Sequence, residues 1–176
     1  MKKMNFKQAL TKVKAFAFDV DGVLSTSCIP LATNGEPMRM INIKDGYAIH
    51  FAAKLGYPMA IITGGKTEAV RIRFESLGMS DIYLASAIKT KDFHDFLQKH
   101  NLKADEVMYM GDDIPDYETM KLAGIPVCPA DAAPEIKAIS AYVSDKEGGQ
   151  GAGRDVIEQV LKAQGKWMAD KEAFGW

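Results

Sequence analysis

Short apolar runs, β-branched or aromatic, recur along the chain with helix-period segments between them, and this alternation limits the possible folds more than any other feature. The runs are Ala15-Phe16-Ala17-Phe18, Met59-Ala60-Ile61-Ile62, Ile82-Tyr83-Leu84 and Val107-Met108-Tyr109-Met110, then 125–127 and Tyr142-Val143. Short and almost wholly apolar, they predict strands buried on both faces of a parallel sheet. Helical periodicity falls at 46–55, 67–77, 90–100, 117–123, 133–139 and 154–163. Strand then helix, repeated, predicts a doubly wound α/β sheet. With 176 residues, 47% of them apolar, the chain fits one domain over 1–176 with a sizeable core.

Sheets of this kind take ligands beyond the carboxyl ends of their strands. The first four runs lead into Asp19, Thr63, the 85–89 loop and Asp112, so polar residues collect at one edge. Asp19 and Asp21 stand two residues apart and start on one face, and Gly22 allows a tight turn. A second cluster holds Asp112, Asp113 and Asp116. So many carboxylates cannot ionise together cheaply, and a hard, oxygen-seeking Mg²⁺ would neutralise them. Any one of them could be a helix cap or a turn former; two clusters at matching strand ends are poorly explained that way. Thr63-Gly64-Gly65-Lys66 offers a hydroxyl, backbone N–H groups and a helix N-terminus suited to an anion, although Thr-Gly before a helix is often only a cap and turn. The Lys89 ammonium could balance a phosphoryl group, although a lone lysine is more often solvated. The shared edge favours the functional alternative for both.

The alternation breaks between Asp21 and Gly46. There Asn34-Gly35 is a two-residue hairpin signal flanked by Ile29, Leu31, Met38, Met40, Ile41 and Ile43. A β-hairpin flap over 25–43 would project from the ligand edge, and its apolar side chains predict packing against other subunits.

The 22 basic and 23 acidic residues give a net charge of -1, which argues against a nucleic-acid or membrane surface and for a small-molecule partner. Cys28 and Cys128 belong to no metal-ligand spacing, which predicts packing residues in a reducing compartment. The basic N-terminus lacks the continuous apolar stretch of a signal peptide, and no window approaches the roughly 20 apolar residues of a membrane span, so a cytoplasmic location is expected.

These residues together resemble the haloacid dehalogenase superfamily, and within it the 3-deoxy-D-manno-octulosonate 8-phosphate (KDO-8-phosphate) phosphatase family. The likeness covers 15–167 through DVDGVLS (19–25), NIKDGYAI (42–49), IITG (61–64), GDDIPD (111–116), GGQGAGRD (148–155) and AQGK (163–166). It implies an HAD-like domain without a large cap, and phosphate-monoester hydrolysis serving lipopolysaccharide synthesis. Asp19 would be the nucleophile, forming an aspartyl-phosphate, and Asp21 the general acid and then base. Mg²⁺ would bind Asp19, the Asp21 carbonyl and Asp112, with Asp116 and Asp113 orienting its waters. Thr63 and Lys89 would hold the phosphoryl group; Lys89 aligns with the family's lysine without a gap, and Lys91 does not.

The resemblance further assigns the sugar acid to Asn42, Ile43, Lys44, Asp45 and Gly46, with Gly64 beside it, and gives Arg154 a reach across an interface. It implies a homotetramer whose flaps and C-terminal tails (164–176) complete neighbouring sites. Two departures touch recognition. Thr63-Gly64-Gly65 stands where relatives often carry TGR, so Lys66 or Arg73 would have to supply the missing contact, and Asp155 stands where glutamate is usual. KDN-9-phosphate is therefore the second candidate substrate. A phosphomutase would want a water-excluding cap, a phospho-acceptor domain would not need Asp21, and a structural subunit would leave the carboxylates unexplained.

Overall fold

Six strands form one parallel sheet in the computed structural model, which describes residues 5–176. They are β1 (Ala15–Phe18), β2 (Met59–Ile62), β3 (Asp81–Tyr83), β4 (Val107–Met110), β5 (Ile125–Cys128) and β6 (Tyr142–Val143), in the order β3-β2-β1-β4-β5-β6. The helices are α1 (Phe6–Ala9), α2 (Ile43–Lys54), α3 (Glu68–Ser76), α4 (Lys89–Lys99), α5 (Tyr117–Leu122), α6 (Pro134–Ile139) and α7 (Ala152–Ala163).

Side-chain alternation along β1 explains the two layers. Phe16 and Phe18 lie on one face, in a core with Ile49 and Phe51 of α2, Phe74 of α3, and Val156 and Val160 of α7. Ala15 and Ala17 lie on the other, where their small size leaves room for Phe93 and Phe96 of α4. Each of these phenyl rings is almost fully buried, which contributes about 1.5–3 kcal/mol apiece. Phe18 pairs with Ile61 on one side and Met110 on the other, so β1, β2 and β4 end level and their following loops meet. After β1 the chain goes to β2, and it returns to β4 on the other side of β1. This is the topological switch point, where the loop carrying Asp19 faces the loop carrying Asp112.

Several boundaries differ from the sequence expectation for local reasons. Asn42 caps α2 by accepting a hydrogen bond from the Lys44 amide at 2.8 Å, so Ile43 to Gly46 are helical. Helix α3 starts at Glu68, which leaves Thr63-Gly64-Gly65-Lys66 in a loop and not on a helix N-terminus. The short α1, which periodicity does not predict, is capped by the Asn5 side chain.

The flap turns one residue earlier than a two-residue hairpin would. The Gly35 amide bonds the Ala32 carbonyl, the Ala32 amide bonds the Glu36 carbonyl, and Gly35 alone takes a positive φ of 82°. This is a type I turn with a glycine bulge. Its limbs meet through one bridge, Leu31 to Pro37, and form no extended strands. Cys128 is buried, whereas Cys28 is exposed, so only the former is a packing residue.

Residues 164–176 fold back over α2 of the same chain. Trp167 and Trp176 meet Tyr47 edge-on, and the Tyr47 hydroxyl donates to the Ala173 carbonyl. No helix among the described residues is long and apolar enough to cross a membrane.

Candidate active site

Asp19, the first residue after β1, is fixed by the hydrogen bond that its backbone N–H donates to the Met110 carbonyl of β4 at 3.0 Å. Its Oδ1 accepts from the Val20 amide at 2.7 Å, and its Oδ2 lies 2.8 Å from Lys89 Nζ. Lys89 opens α4 and also reaches Asp116 Oδ1 at 2.7 Å. Asp116 in turn accepts from the Tyr109 hydroxyl at 2.8 Å and, through Oδ2, from the Asp112 amide at 3.2 Å. Asp19, Lys89 and Asp116 are all buried. Oxygens of Asp19, Asp112 and Asp116 approach within 4.8 Å of one another.

A side chain at position 22 would destroy this grouping. Gly22 has φ +83°, and a Cβ there would fall 1.9 Å from Asp112 Oδ2. Close approach of the two strand-end loops therefore depends on this glycine.

Asp21 points a different way. Its Oδ1 and Oδ2 accept from Arg39 Nε at 2.6 Å and Nη2 at 2.8 Å, a forked pair, while Arg39 Nη1 donates to the Thr67 hydroxyl at 3.0 Å. Thr63 is buried at the end of β2, its amide bonded to Tyr83 and its hydroxyl accepting from the Gly65 amide at 3.2 Å. A cavity of about 490 Å³ opens between these groups, lined by Asp19, Asp21, Thr63, Gly64, Lys89, Asp112 and Asp113, with Ser27 and Ser86 on its walls.

One ammonium among three close carboxylates leaves the cluster short of positive charge. Burial, then the charge of Asp116, pushes the Asp19 carboxyl up to about 7 against the pull of Lys89. Burial, then Asp19 and Asp116, pushes the Asp112 carboxyl up to about 8. Burial also disfavours the Lys89 ammonium, yet Asp19 and Asp116 hold it above its ordinary range. An all-oxygen donor set that is too crowded to ionise alone fits a hard divalent cation. Asp19 and Asp112 would hold it, since Asp116 already accepts three hydrogen bonds from the protein.

Of the residues expected at the sugar acid, Gly64 lines this cavity and the others do not. Asn42 caps α2 and donates to the Gly149 carbonyl at 3.2 Å. Ile43 and Lys44 are exposed, and Gly46 is buried beneath Arg73. Asp45 is 1% exposed and accepts from the Arg154 amide at 2.7 Å, capping α7; burial pushes its carboxyl up to about 6. Arg154 pairs with Glu158 and lies over the Tyr47 and Trp167 rings. Lys66 is exposed, and Arg73 lines a second cavity of about 420 Å³ between the flap and α3. Asp155 ties Tyr142 and Ser144 to α7, a structural duty in place of the expected part in recognition.

Sequence reasoning missed Arg39, Tyr109, Ser27 and Ser86. Arg39 had a signal. In Met38-Arg39-Met40 an arginine alternates with two methionines, and they are 49% and 64% exposed while its side chain is 7% exposed.

Residues 59–153 match the family described as haloacid dehalogenase-like hydrolase. The 3-deoxy-D-manno-octulosonate 8-phosphate phosphatase KdsC of Escherichia coli K12 is 38% identical over 154 residues, 88% of this chain and 82% of that one. The chain belongs to this phosphatase family of haloacid dehalogenase-like hydrolases. Solved structures agree with the family assignment. The 3-deoxy-D-manno-octulosonate 8-phosphate phosphatase of Yersinia pestis superimposes with a TM-score of 0.89 at 32% identity, covering 93% of this chain and 88% of the other. The enzyme of Moraxella catarrhalis, solved in complex with magnesium ion, phosphate ion and a KDO molecule, gives a TM-score of 0.90 at 32% identity over 98% and 99%.

Proposed function

We propose that this chain is a Mg²⁺-dependent phosphatase that hydrolyses KDO-8-phosphate to KDO and phosphate, in the cytoplasm, for lipopolysaccharide synthesis. The observation that carries the reading is the buried Asp19–Lys89–Asp116 cluster beside Asp112, at the switch point of the sheet and open to the cavity. The family's named activity supports the choice of substrate.

Asp19 attacks phosphorus, an Asp19 O–P bond forms, and the bond to the sugar oxygen breaks. Asp21 gives its proton to the departing alkoxide. Water then attacks the aspartyl-phosphate, Asp21 takes its proton, and Asp19 is released. Thr63 and Lys89 hold the phosphoryl oxygens as negative charge moves onto them. Mg²⁺, held by Asp19, Asp112 and the Asp21 carbonyl, supplies positive charge to the phosphoryl group and lets the carboxylates ionise. Asp116 positions Lys89 and the Asp112 loop, and the exposed Asp113 lies at the cavity rim.

Specificity constants test the substrate. KDO-8-phosphate is expected to exceed KDN-9-phosphate by at least about tenfold, about 1.4 kcal/mol of transition-state binding, and only with Mg²⁺ present. A preference for the nine-carbon acid would make that sugar the substrate.

The metal has a pH signature. In the unfolded chain the carboxyls of Asp19 and Asp112 ionise near 3.8, and in the metal-free fold they keep their protons to about 7 and about 8. Ionisation therefore costs the metal-free fold stability as pH rises through this window, and the loss is complete above it. Mg²⁺ binds the ionised pair and reverses the loss. At about 100 times Kd, Mg²⁺ should raise Tm by roughly 5–10 °C at about pH 8.5, and by less than half that at about pH 5.5. Equal gains in thermal melts at both pH values would contradict the assignment.

The exposed Leu31, Met38 and Met40 of the flap, with Ile43, Ile72 and Ile88, support a homotetramer in which flaps meet neighbouring subunits. Sedimentation equilibrium should give four times the chain mass; a monomer would remove this part of the proposal.

A further inference from the structure

Arg39 comes from the flap, not from the sheet edge, yet it makes the closest contacts of any side chain to Asp21. It uses Nε and Nη2 on the two Asp21 oxygens and Nη1 on the Thr67 hydroxyl, so three points fix its guanidinium. Asp21 is not closed off by the fork. A carboxylate offers about four lone pairs, two of which Arg39 takes, and Asp21 stays 37% exposed and on the cavity wall.

Gly65 makes this arrangement possible. A Cβ at position 65 would lie 2.6 Å from Arg39 Nη2 and 3.3 Å from its Cζ, so a side chain there and the guanidinium compete for the same space. The space that any side chain at position 65 would enter is thus held by an arginine that arrives from the flap. Arg73, which the sequence offered as the substitute, lies across Arg39 in the second cavity.

We propose that Arg39 is the positioning residue for Asp21, holding its carboxylate toward the leaving-group side of the cavity, and that position 65 is glycine to admit it. This inference rests on the reading of Asp21 as the proton-transfer group. Arg39 acts on turnover through Asp21 and not on substrate affinity, and through it the flap and the β1 loop are one unit.

Steady-state kinetics on KDO-8-phosphate with saturating Mg²⁺ test it. Arg39→Ala should lower kcat by about 10- to 100-fold and leave KM within about threefold. Added guanidinium ion should restore part of that rate, a rescue that a scaffold role would not give. Arg39→Lys should remain impaired, because an ammonium cannot fork across both oxygens. Gly65→Ala should lower kcat in the same way. The Arg39→Ala/Gly65→Ala double variant should be no slower than the worse single variant, because both changes remove one contact. A kcat within twofold of wild type for Arg39→Ala, a loss confined to KM, or multiplying losses in the double variant would each overturn the proposal.

An activity-free measurement separates this from failure of the phosphatase reading. Amide hydrogen exchange over 28–42 should speed up in Arg39→Ala and in Gly65→Ala relative to wild type. Should wild type turn over no sugar-acid phosphate, the function falls and exchange still decides the contact. Unchanged exchange in both variants would remove it.

Discussion

Asp19→Asn should abolish steady-state phosphate release, by about 10⁴-fold or more, while the sheet stays intact. The amide is nearly isosteric, and its oxygen can still accept from the Val20 amide where Asp19 Oδ1 does at 2.7 Å. It lacks the anionic oxygen that bonds to phosphorus in the proposed mechanism. The neutral side chain also relieves the crowding that raises the Asp112 carboxyl, in which Asp19 is the largest cause after burial. Against that gain, an amide NH₂ placed where Oδ2 lies would face Lys89, which keeps Asp116 as its partner. The two effects oppose, so the metal-free variant should melt close to the wild type. Phosphate release and thermal melts, measured on one preparation, check both halves. Turnover within tenfold of wild type would take the nucleophile's role from Asp19.

The sheet was legible because each strand is built on a short apolar run, only β3 adding a charged residue at its start, Asp81, and no tertiary contact is needed to see that. The positions of Asp19, Thr63, Lys89 and Asp112 followed from the strand ends, and parallel strands in register place those ends together. What the chain does between strands was less legible. Asp45 and Arg154 look alike in sequence as polar residues near a glycine, but the first is a buried cap whose partner is 109 residues away. Nothing local encodes that distance. Arg39 shows the opposite failure: alternation with Met38 and Met40 marked its direction, and the apolar reading of the flap drew attention to its neighbours. The tail is a third kind. Trp167 is a large apolar group that packs on α2 while Trp176 touches α2 and stays 72% exposed, and sequence alone does not distinguish α2 of the same chain from a neighbouring subunit as the cover.

Lys89→Met tests whether the cluster is an electrostatic unit. The side chains are close in length, so the change removes an ammonium and little volume. In the wild type that ammonium lies 2.8 Å from Asp19 and 2.7 Å from Asp116, all three side chains being at most 10% exposed. Removing it leaves buried carboxylates without their nearest cation, a change that costs about 3–5 kcal/mol when one partner of a buried pair is lost. For a chain of this size that lowers Tm by roughly 10 °C. Turnover should fall by about 10³-fold or more, because the transferring phosphoryl group loses a fixed positive charge. Lys89→Arg should recover little of either, since a planar fork cannot place one charge between Asp19 and Asp116 in a space shaped for an ammonium. Mg²⁺ should restore part of the lost stability in Lys89→Met and none of the turnover: in the proposed mechanism it would neutralise Asp19 and Asp112, and it would not replace the ammonium that Lys89 offers the phosphoryl oxygens. Melts and initial rates with and without Mg²⁺ separate the two. Wild-type stability together with wild-type rate would mean that Lys89 is a bystander at the edge of the sheet.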